Sequence, residues 1–281
     1  MTACVVSTEW LARRLDAPDI VILDASWHLP PAGRDPKAEY FAEHIPGAMF
    51  FDIDEIADTS SDLPHMLPSP EKFASRMRKM GIGDGKQVIV YDSVGLYSAA
   101  RAWWMFRVFG HEDVAVLDGG LPKWKAEGRP LGEGPPGPVQ ERHFTARFNS
   151  VRVRDKHEVH QALKTGGAVV ADARSPARFT GAEPEPRAGL RSGHMPGARN
   201  LHYATLLNPD GTIKDAAAIE AVLTQAGIDL SRPVISSCGS GVTAAILDLG
   251  LELIGHTDHA VYDGSWSEWG ADPALPATRG A

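Results

Sequence analysis

A repeat spanning nearly the whole chain limits its fold more than any local motif does. Val21-Ile22-Leu23-Asp24-Ala25 returns as Val169-Val170-Ala171-Asp172-Ala173, and Glu43-His44-Ile45-Pro46-Gly47-Ala48 returns as Gly193-His194-Met195-Pro196-Gly197-Ala198. Further on, Val88-Ile89-Val90-Tyr91-Asp92 aligns with Val234-Ile235-Ser236-Ser237-Cys238. Leu117-Asp118-Gly119-Gly120 aligns with Tyr262-Asp263-Gly264-Ser265, and Trp124 with Trp269. The offset drifts by a few residues, as loop insertions require. Two copies of one domain follow, which suits a chain of 281 residues at the usual domain size. The stretch from Glu127 to Pro138 is too rich in Gly and Pro for helix or central strand. The copies are expected to occupy residues 1–130 and 148–281, with 131–147 as linker.

Within each copy, short Val/Ile/Leu/Ala runs such as Val169 to Ala171, Pro233 to Ser236 and Ala260 to Tyr262 read as buried strands. Leu96 to Phe109 and Val242 to Ile254 have helical length and spacing. Strands alternating with helices predict an α/β fold, a mostly parallel sheet with helices on both faces of each domain. In such sheets the functional groups collect beyond the carboxyl ends of the strands. Cys238 stands at one of those ends, followed by a glycine-bracketed turn that opens into a helix. Backbone N–H groups of such a turn and of a helix start favour a thiolate, the reactive form. The alternative is a small buried hydrophobe, as most free cysteines are. The first copy has Asp92 at this position, so it lacks a sulfur nucleophile and is expected to be catalytically inactive. The Asp92 carboxylate is expected to cap the helix that follows.

Charge and composition exclude several function classes. A formal charge of −8, from 28 Lys+Arg against 36 Asp+Glu, argues against a phosphate-binding surface and a nucleic-acid partner. No apolar run approaches the roughly 18–20 residues needed to span a bilayer. The first ten residues lack a signal peptide's basic-then-apolar order. No membrane partner and a cytoplasmic location are therefore expected. The two cysteines, Cys4 and Cys238, show no metal-ligand spacing, so no metal is expected. Cys4 reads as incidental, in a frayed N-terminus, and the tail from Pro273 to Ala281 as disordered. A Cys-x5-Arg phosphatase loop would need Arg where Ala244 stands, and no Gly-Lys-[Ser/Thr] follows Gly239-Ser240-Gly241 to make a nucleotide loop.

Each copy thus carries an Asp after its first strand, a His-[Ile/Met]-Pro-Gly-Ala turn, an Asp or Cys loop and an Asp-Gly-x-x-x-Trp ending. This pattern resembles the rhodanese domain, and the tandem arrangement resembles the two-domain sulfurtransferases, whose second domain is catalytic. The loop Cys238-Gly239-Ser240-Gly241-Val242-Thr243 is similar to that of the 3-mercaptopyruvate sulfurtransferases. Thiosulfate sulfurtransferases typically have two basic residues where Gly239 and Ser240 stand here. A neutral loop suits a monocarboxylate donor better than a dianion.

The resemblance implies an enzyme that moves the sulfur of 3-mercaptopyruvate through a Cys238 persulfide to a thiol, thioredoxin or a small thiol, or to cyanide. It implies no cofactor. Thiosulfate is the alternative donor, and a sulfur-carrier or partner-binding module the non-enzyme alternative. Arg178 and Arg187 match the family's substrate-binding pair, and guanidinium groups grip a carboxylate through paired N–H···O bonds. Residues Gly239 to Thr243 would cradle the persulfide. His44 matches a histidine expected to form a relay with Ser240 and an acid, Asp35. Asp24, Asp118, Asp172 and Asp263 recur in both copies and are assigned to turn hydrogen bonding.

Overall fold

The computed structural model describes residues 3–280. Met1, Thr2 and Ala281, which belong to the N-terminal and tail readings, lie outside them. The chain divides into two compact units. Unit 1 comprises Met1–Thr59, Leu67–Asn149 and Leu207–Ile213; unit 2 comprises Ser60–Met66, Ser150–Leu206 and Lys214–Ala281. Most of the expected linker packs within unit 1, where the Thr145 N–H and hydroxyl bind Asp84 at 2.9 and 2.7 Å.

Each unit holds a five-stranded sheet. In unit 1 the strands are β1 (Val5–Val6), β2 (Ile20–Asp24), β3 (Met49–Phe50), β4 (Gln87–Tyr91) and β5 (Val114–Leu117), ordered β1-β5-β4-β2-β3. In unit 2 they are β6 (Val153–Arg154), β7 (Val169–Asp172), β8 (Arg199–Asn200), β9 (Val234–Ser237) and β10 (His259–Tyr262), ordered β6-β10-β9-β7-β8. Every pair within these sheets is parallel. The second order is the first shifted by five strands, which is the repeat expressed as topology.

Strand alternation sends successive side chains to opposite faces. On one face of unit 1, Ile22, Ile89, Tyr91, Ala115 and Leu117 pack with Tyr40, Ile45, Leu121 and Trp124. The other face is covered by the Ala99–Val108 helix, every residue of which is buried. Unit 2 repeats this, with Val170, Ile235 and Tyr262 against Phe179, Met195, Trp266 and Trp269. The Ala244–Leu253 helix, buried from Ala244 to Leu251, packs on β9 and β10. A helix buried all round shows no apolar stripe, and these two therefore stand out by length and composition rather than periodicity.

Both chain ends depart from expectation. Cys4 is buried and its carbonyl accepts the Val116 N–H at 2.9 Å, so it extends a sheet edge rather than fraying. Among the described residues Cys4 and Cys238 form no disulfide. The tail is ordered through Gly280. Trp269 Nε1 donates to the Pro276 carbonyl at 2.8 Å, Thr278 and His194 exchange backbone hydrogen bonds, and Gly280 N donates to Thr180. These bonds satisfy groups that burial would otherwise leave unpaired.

Candidate active site

β9 ends at Ser237, and Cys238 opens a six-residue loop before the Ala244–Leu253 helix. Gly241 takes φ 77°, the left-handed conformation that lets the chain turn sharply. The base of the loop is tied to the Ser265–Trp269 helix. The Cys238 N–H donates to Ser265 Oγ at 3.1 Å, and that hydroxyl donates to the Tyr262 carbonyl at 2.8 Å. The Cys238 carbonyl accepts from Trp266 N at 3.0 Å, and the Gly239 carbonyl accepts from Ser267 N at 2.8 Å and from Ser267 Oγ at 2.7 Å. Cys238 is 2% exposed. No side chain caps the helix that follows it, and its Ala245 and Ile246 N–H groups donate back to the Val242 and Thr243 carbonyls at 3.3 and 3.1 Å.

Ser265 has φ 48°, where side chains other than glycine are uncommon. Its counterpart in unit 1, Gly120, has φ 53°, and a Cβ there would meet the Asp92 carbonyl at 2.5 Å. Only the second copy admits a hydroxyl at this position. A replacement of Gly by Ser at one repeat position was visible in the sequence, yet its role in holding the nucleophile's N–H was not.

Arg178 reaches the loop. It extends from the Pro176–Thr180 helix, capped by Ser175, and a Cβ built on Gly239 would meet its Nη2 at 2.8 Å. The guanidinium occupies the space a side chain at 239 would need. It is held by Glu185, with Nη2 to Oε2 at 2.6 Å. Glu185 also accepts from Arg174 Nη1 at 2.7 Å. Arg174 is buried, binds both carboxylate oxygens of Asp172, donates to the Gly193 carbonyl at 2.9 Å and stacks 4.4 Å from the Trp266 ring centre. Burial alone would lower the Arg174 pKa, but the adjoining Asp172 and Glu185 charges raise it. The buried chain Asp172–Arg174–Glu185 thus orients Arg178. Sequence reasoning passed over Arg174 and Glu185, although both lie within or beside the Arg178–Arg187 stretch.

The Rhodanese-like domain profile matches residues 7–127 and 155–272. The chain belongs to the rhodanese family. It is 44% identical to the 3-mercaptopyruvate sulfurtransferase of Escherichia coli (strain K12), covering 98% of each protein, and 42% identical to that of Homo sapiens, covering 94% of this chain and 91% of that protein. It is 41% identical to the thiosulfate sulfurtransferase of Cricetulus griseus, covering 98% of this chain and 94% of that protein. The crystal structure of SseA from Escherichia coli superimposes with a TM-score of 0.86 at 42% identity, covering 94% of this chain and 99% of that one.

Within this rhodanese framework the expected histidine relay is not formed as drawn. His44 is buried, its Nδ1 bonded to the Tyr40 carbonyl at 2.8 Å and its ring stacked 4.4 Å from Tyr40. His194 does the same in unit 2, with Nδ1 on the Phe179 carbonyl at 2.9 Å and its ring 3.8 Å from Phe179. Each also exchanges backbone bonds across a bridge, to Gly132 and to Thr278. A feature built identically in both copies serves the fold. Asp35 caps the Pro36–Ala42 helix, accepting from Lys37 N and Ala38 N, both at 3.0 Å, and no hydrogen bond joins it to His44.

Arg187 instead meets a different histidine. Its Nη2 lies 3.2 Å from His65 Nε2, within unit 2. His65 is 6% exposed and has φ 62°, a strained conformation for a residue with a Cβ. It falls in the first sequence copy but packs in the second unit, so a reading that treated each copy as its own domain had no reason to select it.

Proposed function

We propose that the protein is a 3-mercaptopyruvate sulfurtransferase acting through a Cys238 persulfide. The placement of the Arg178 guanidinium against Gly239, one residue from the nucleophile, carries this reading. Arg178 and Arg187 receive the carboxylate and ketone of the substrate through charge-assisted hydrogen bonds and bring its sulfur to Cys238. The Cys238 thiolate attacks that sulfur. An S–S bond forms as the C–S bond breaks, and the bonding pair passes to carbon as the enolate of pyruvate, which is protonated on release. The N–H groups of Gly239 to Thr243 hold the negative charge on sulfur before and after transfer. Ser240 handles the substrate's proton. His65 replaces His44 as the proposed histidine of the site, because it stands beside Arg187.

A second thiol, thioredoxin or a small one, then attacks the outer sulfur and releases the Cys238 thiolate. Unit 1, with Asp92 at the thiol position, takes no part in the covalent steps. The cytoplasm is the proposed compartment; cell fractionation that recovers the protein with a membrane-bounded organelle would overturn it.

Thiosulfate is the second reading, favoured by the similarity to the Cricetulus griseus thiosulfate sulfurtransferase. The ratio of kcat/KM for 3-mercaptopyruvate to that for thiosulfate, with cyanide as acceptor and Cys238→Ser as blank, separates the two. A ratio well above one is expected. A ratio below one reverses the donor assignment, and equal rates in the blank would remove Cys238 from the mechanism.

A further inference from the structure

Unit 1 contains a cavity of about 570 Å³ at the carboxyl ends of β2 and β4, lined by Asp24, Ser26, Arg34, Glu39, Leu121 and Lys125 among others. Comparison with unit 2 explains why it exists. Asp24 and Asp172 are equivalent: each ends a strand, and each is followed by an alanine whose N–H donates at 2.8 Å to the end of the neighbouring strand, at Tyr91 and Ser237. Ser26 and Arg174 are equivalent too, since Ser26 N donates to Asp24 at 2.9 Å and Arg174 N to Asp172 at 3.0 Å. The side chain of Arg174 fills the region between Asp172, Glu185, the Gly193 carbonyl and Trp266. In unit 1 the corresponding side chain is a serine. Leu121 replaces Trp266, as their matching N–H bonds to Asp92 and Cys238 show. The space is left open.

Its charge has also been inverted. The stacked pairs Tyr40–His44 and Phe179–His194 place Glu39 opposite Arg178. Where unit 2 offers an arginine held by Glu185, unit 1 offers a glutamate held by Arg34, at 2.7 Å through two bonds. The other cation of the lining, Lys125, is paired with Glu43. Asp24 is different. It is 1% exposed and accepts hydrogen bonds from Ser26, but among the described residues no Lys, Arg or His forms an ion pair with it. A buried carboxylate without a cation is costly. Its equivalent, Asp172, has one bound through both oxygens.

We propose that this cavity binds a small guanidinium-bearing ligand, whose planar cation enters the space Arg174 fills in unit 2 and lies against the Asp24 carboxylate. The geometry favours a guanidinium over a compact ammonium because the equivalent carboxylate is arranged for a fork of parallel N–H donors. Burial pushes Asp24 up to about 6, with the Ser26 hydrogen bonds opposing, so the group is ionised and available above neutrality. Inorganic and carboxylate anions are disfavoured, because each lining cation is matched by a carboxylate and Asp24 adds a further negative charge.

Isothermal titration of the full chain with agmatine at pH 8, beside 1,4-diaminobutane and inorganic phosphate, tests this. Saturable agmatine binding is expected, with diaminobutane weaker by roughly tenfold or more. Ser26→Arg supplies the missing side chain from within and is expected to abolish binding while sulfur transfer is retained. Asp24→Asn is expected to weaken binding by a similar factor of roughly ten. Absence of saturable agmatine binding overturns the proposal, as does binding that survives Ser26→Arg or a preference for phosphate. Equal affinity for agmatine and diaminobutane overturns the guanidinium assignment. Ser26→Arg carries the test if Asp24→Asn fails to fold.

Discussion

The loops that follow β4 and β9 begin at equivalent positions and satisfy the same backbone groups in opposite ways. In unit 1 the Asp92 carboxylate accepts five N–H groups, from Val94, Gly95, Tyr97, Ser98 and Ala99, at 2.7 to 3.1 Å. The amide cradle is filled by a permanent internal anion. In unit 2 the loop is one residue shorter, Cys238 replaces the carboxylate, and the Ala244–Leu253 helix has no side-chain cap. The same N–H groups can then serve an anion that forms and departs, as a thiolate or a persulfide. A carboxylate makes a stable loop, and a thiol makes a reactive one. The surrounding residues changed with it: Arg178 stands opposite Glu39, Arg174 opposite Ser26 and Ser265 opposite Gly120.

The comparison is most directly broken at the nucleophile. Cys238→Ser is expected to abolish sulfur transfer and the added sulfur atom seen by intact-mass measurement after exposure to 3-mercaptopyruvate. The converse change, Asp92→Cys, is expected to create no activity, because the loop it enters is longer and the arginine beside it, Arg34, is paired with Glu39 through two bonds. Transfer by Asp92→Cys in a Cys238→Ser background would show that the loop alone suffices.

Arg178→Ala and Arg187→Ala each remove charged hydrogen bonds proposed to hold the substrate and should lower kcat/KM for 3-mercaptopyruvate by roughly a hundredfold. Glu185→Gln should have a smaller effect in the same direction, since it loosens Arg178 without deleting it. Steady-state kinetics with both donors read this series, and an unchanged Arg178→Ala enzyme would refute its assigned contact with the donor.

Loss of the internal anion affects stability rather than chemistry. Asp92→Ala strands the N–H groups at a buried helix start and should destabilise unit 1 by about 2–4 kcal/mol, read as a lower denaturation midpoint. Asp24 provides the most diagnostic effect. Burial raises its pKa from 3.8 to about 6, with the Asp92 charge adding to the rise and hydrogen bonds from Ser26 and Tyr91 opposing it. The folded state therefore holds this proton more tightly than the unfolded state. Its stabilising contribution is full below pH 3.8 and is lost as pH rises through 6, the reverse of an ion-paired carboxylate. The change is on the order of 3 kcal/mol. Asp24→Asn should flatten the pH dependence of unfolding in that window, and an unaltered profile would place the proton elsewhere.

Several of these features were legible before any coordinates. Repetition of the strand runs and of Asp-Gly-x-x-x-Trp predicted two parallel α/β units, because buried strands and turn glycines leave local marks. Cys238 was legible for the same reason, as a strand-end thiol before a glycine turn. The predicted helices began too early, at Leu96 and Val242 rather than Ala99 and Ala244, because apolar loop residues share the composition of the buried helix behind them. His44 is legible through the motif that carries the family resemblance, whereas nothing local marks His65, because its segment belongs to one copy and packs in the other unit.

The sequence alone determined the duplicated architecture, the single strand-end thiol before a glycine turn and the charge classes near it, since these depend on periodicity and on residue type. Tertiary structure decided which arginine faces the loop, which histidine stands beside Arg187, that Ser265 accepts the Cys238 N–H, and that the first copy has a serine beside a cavity where the second holds Arg174. Those are pairings between residues far apart in the chain. Their energies depend on burial and on distances of a few ångströms, which residue order does not encode position by position.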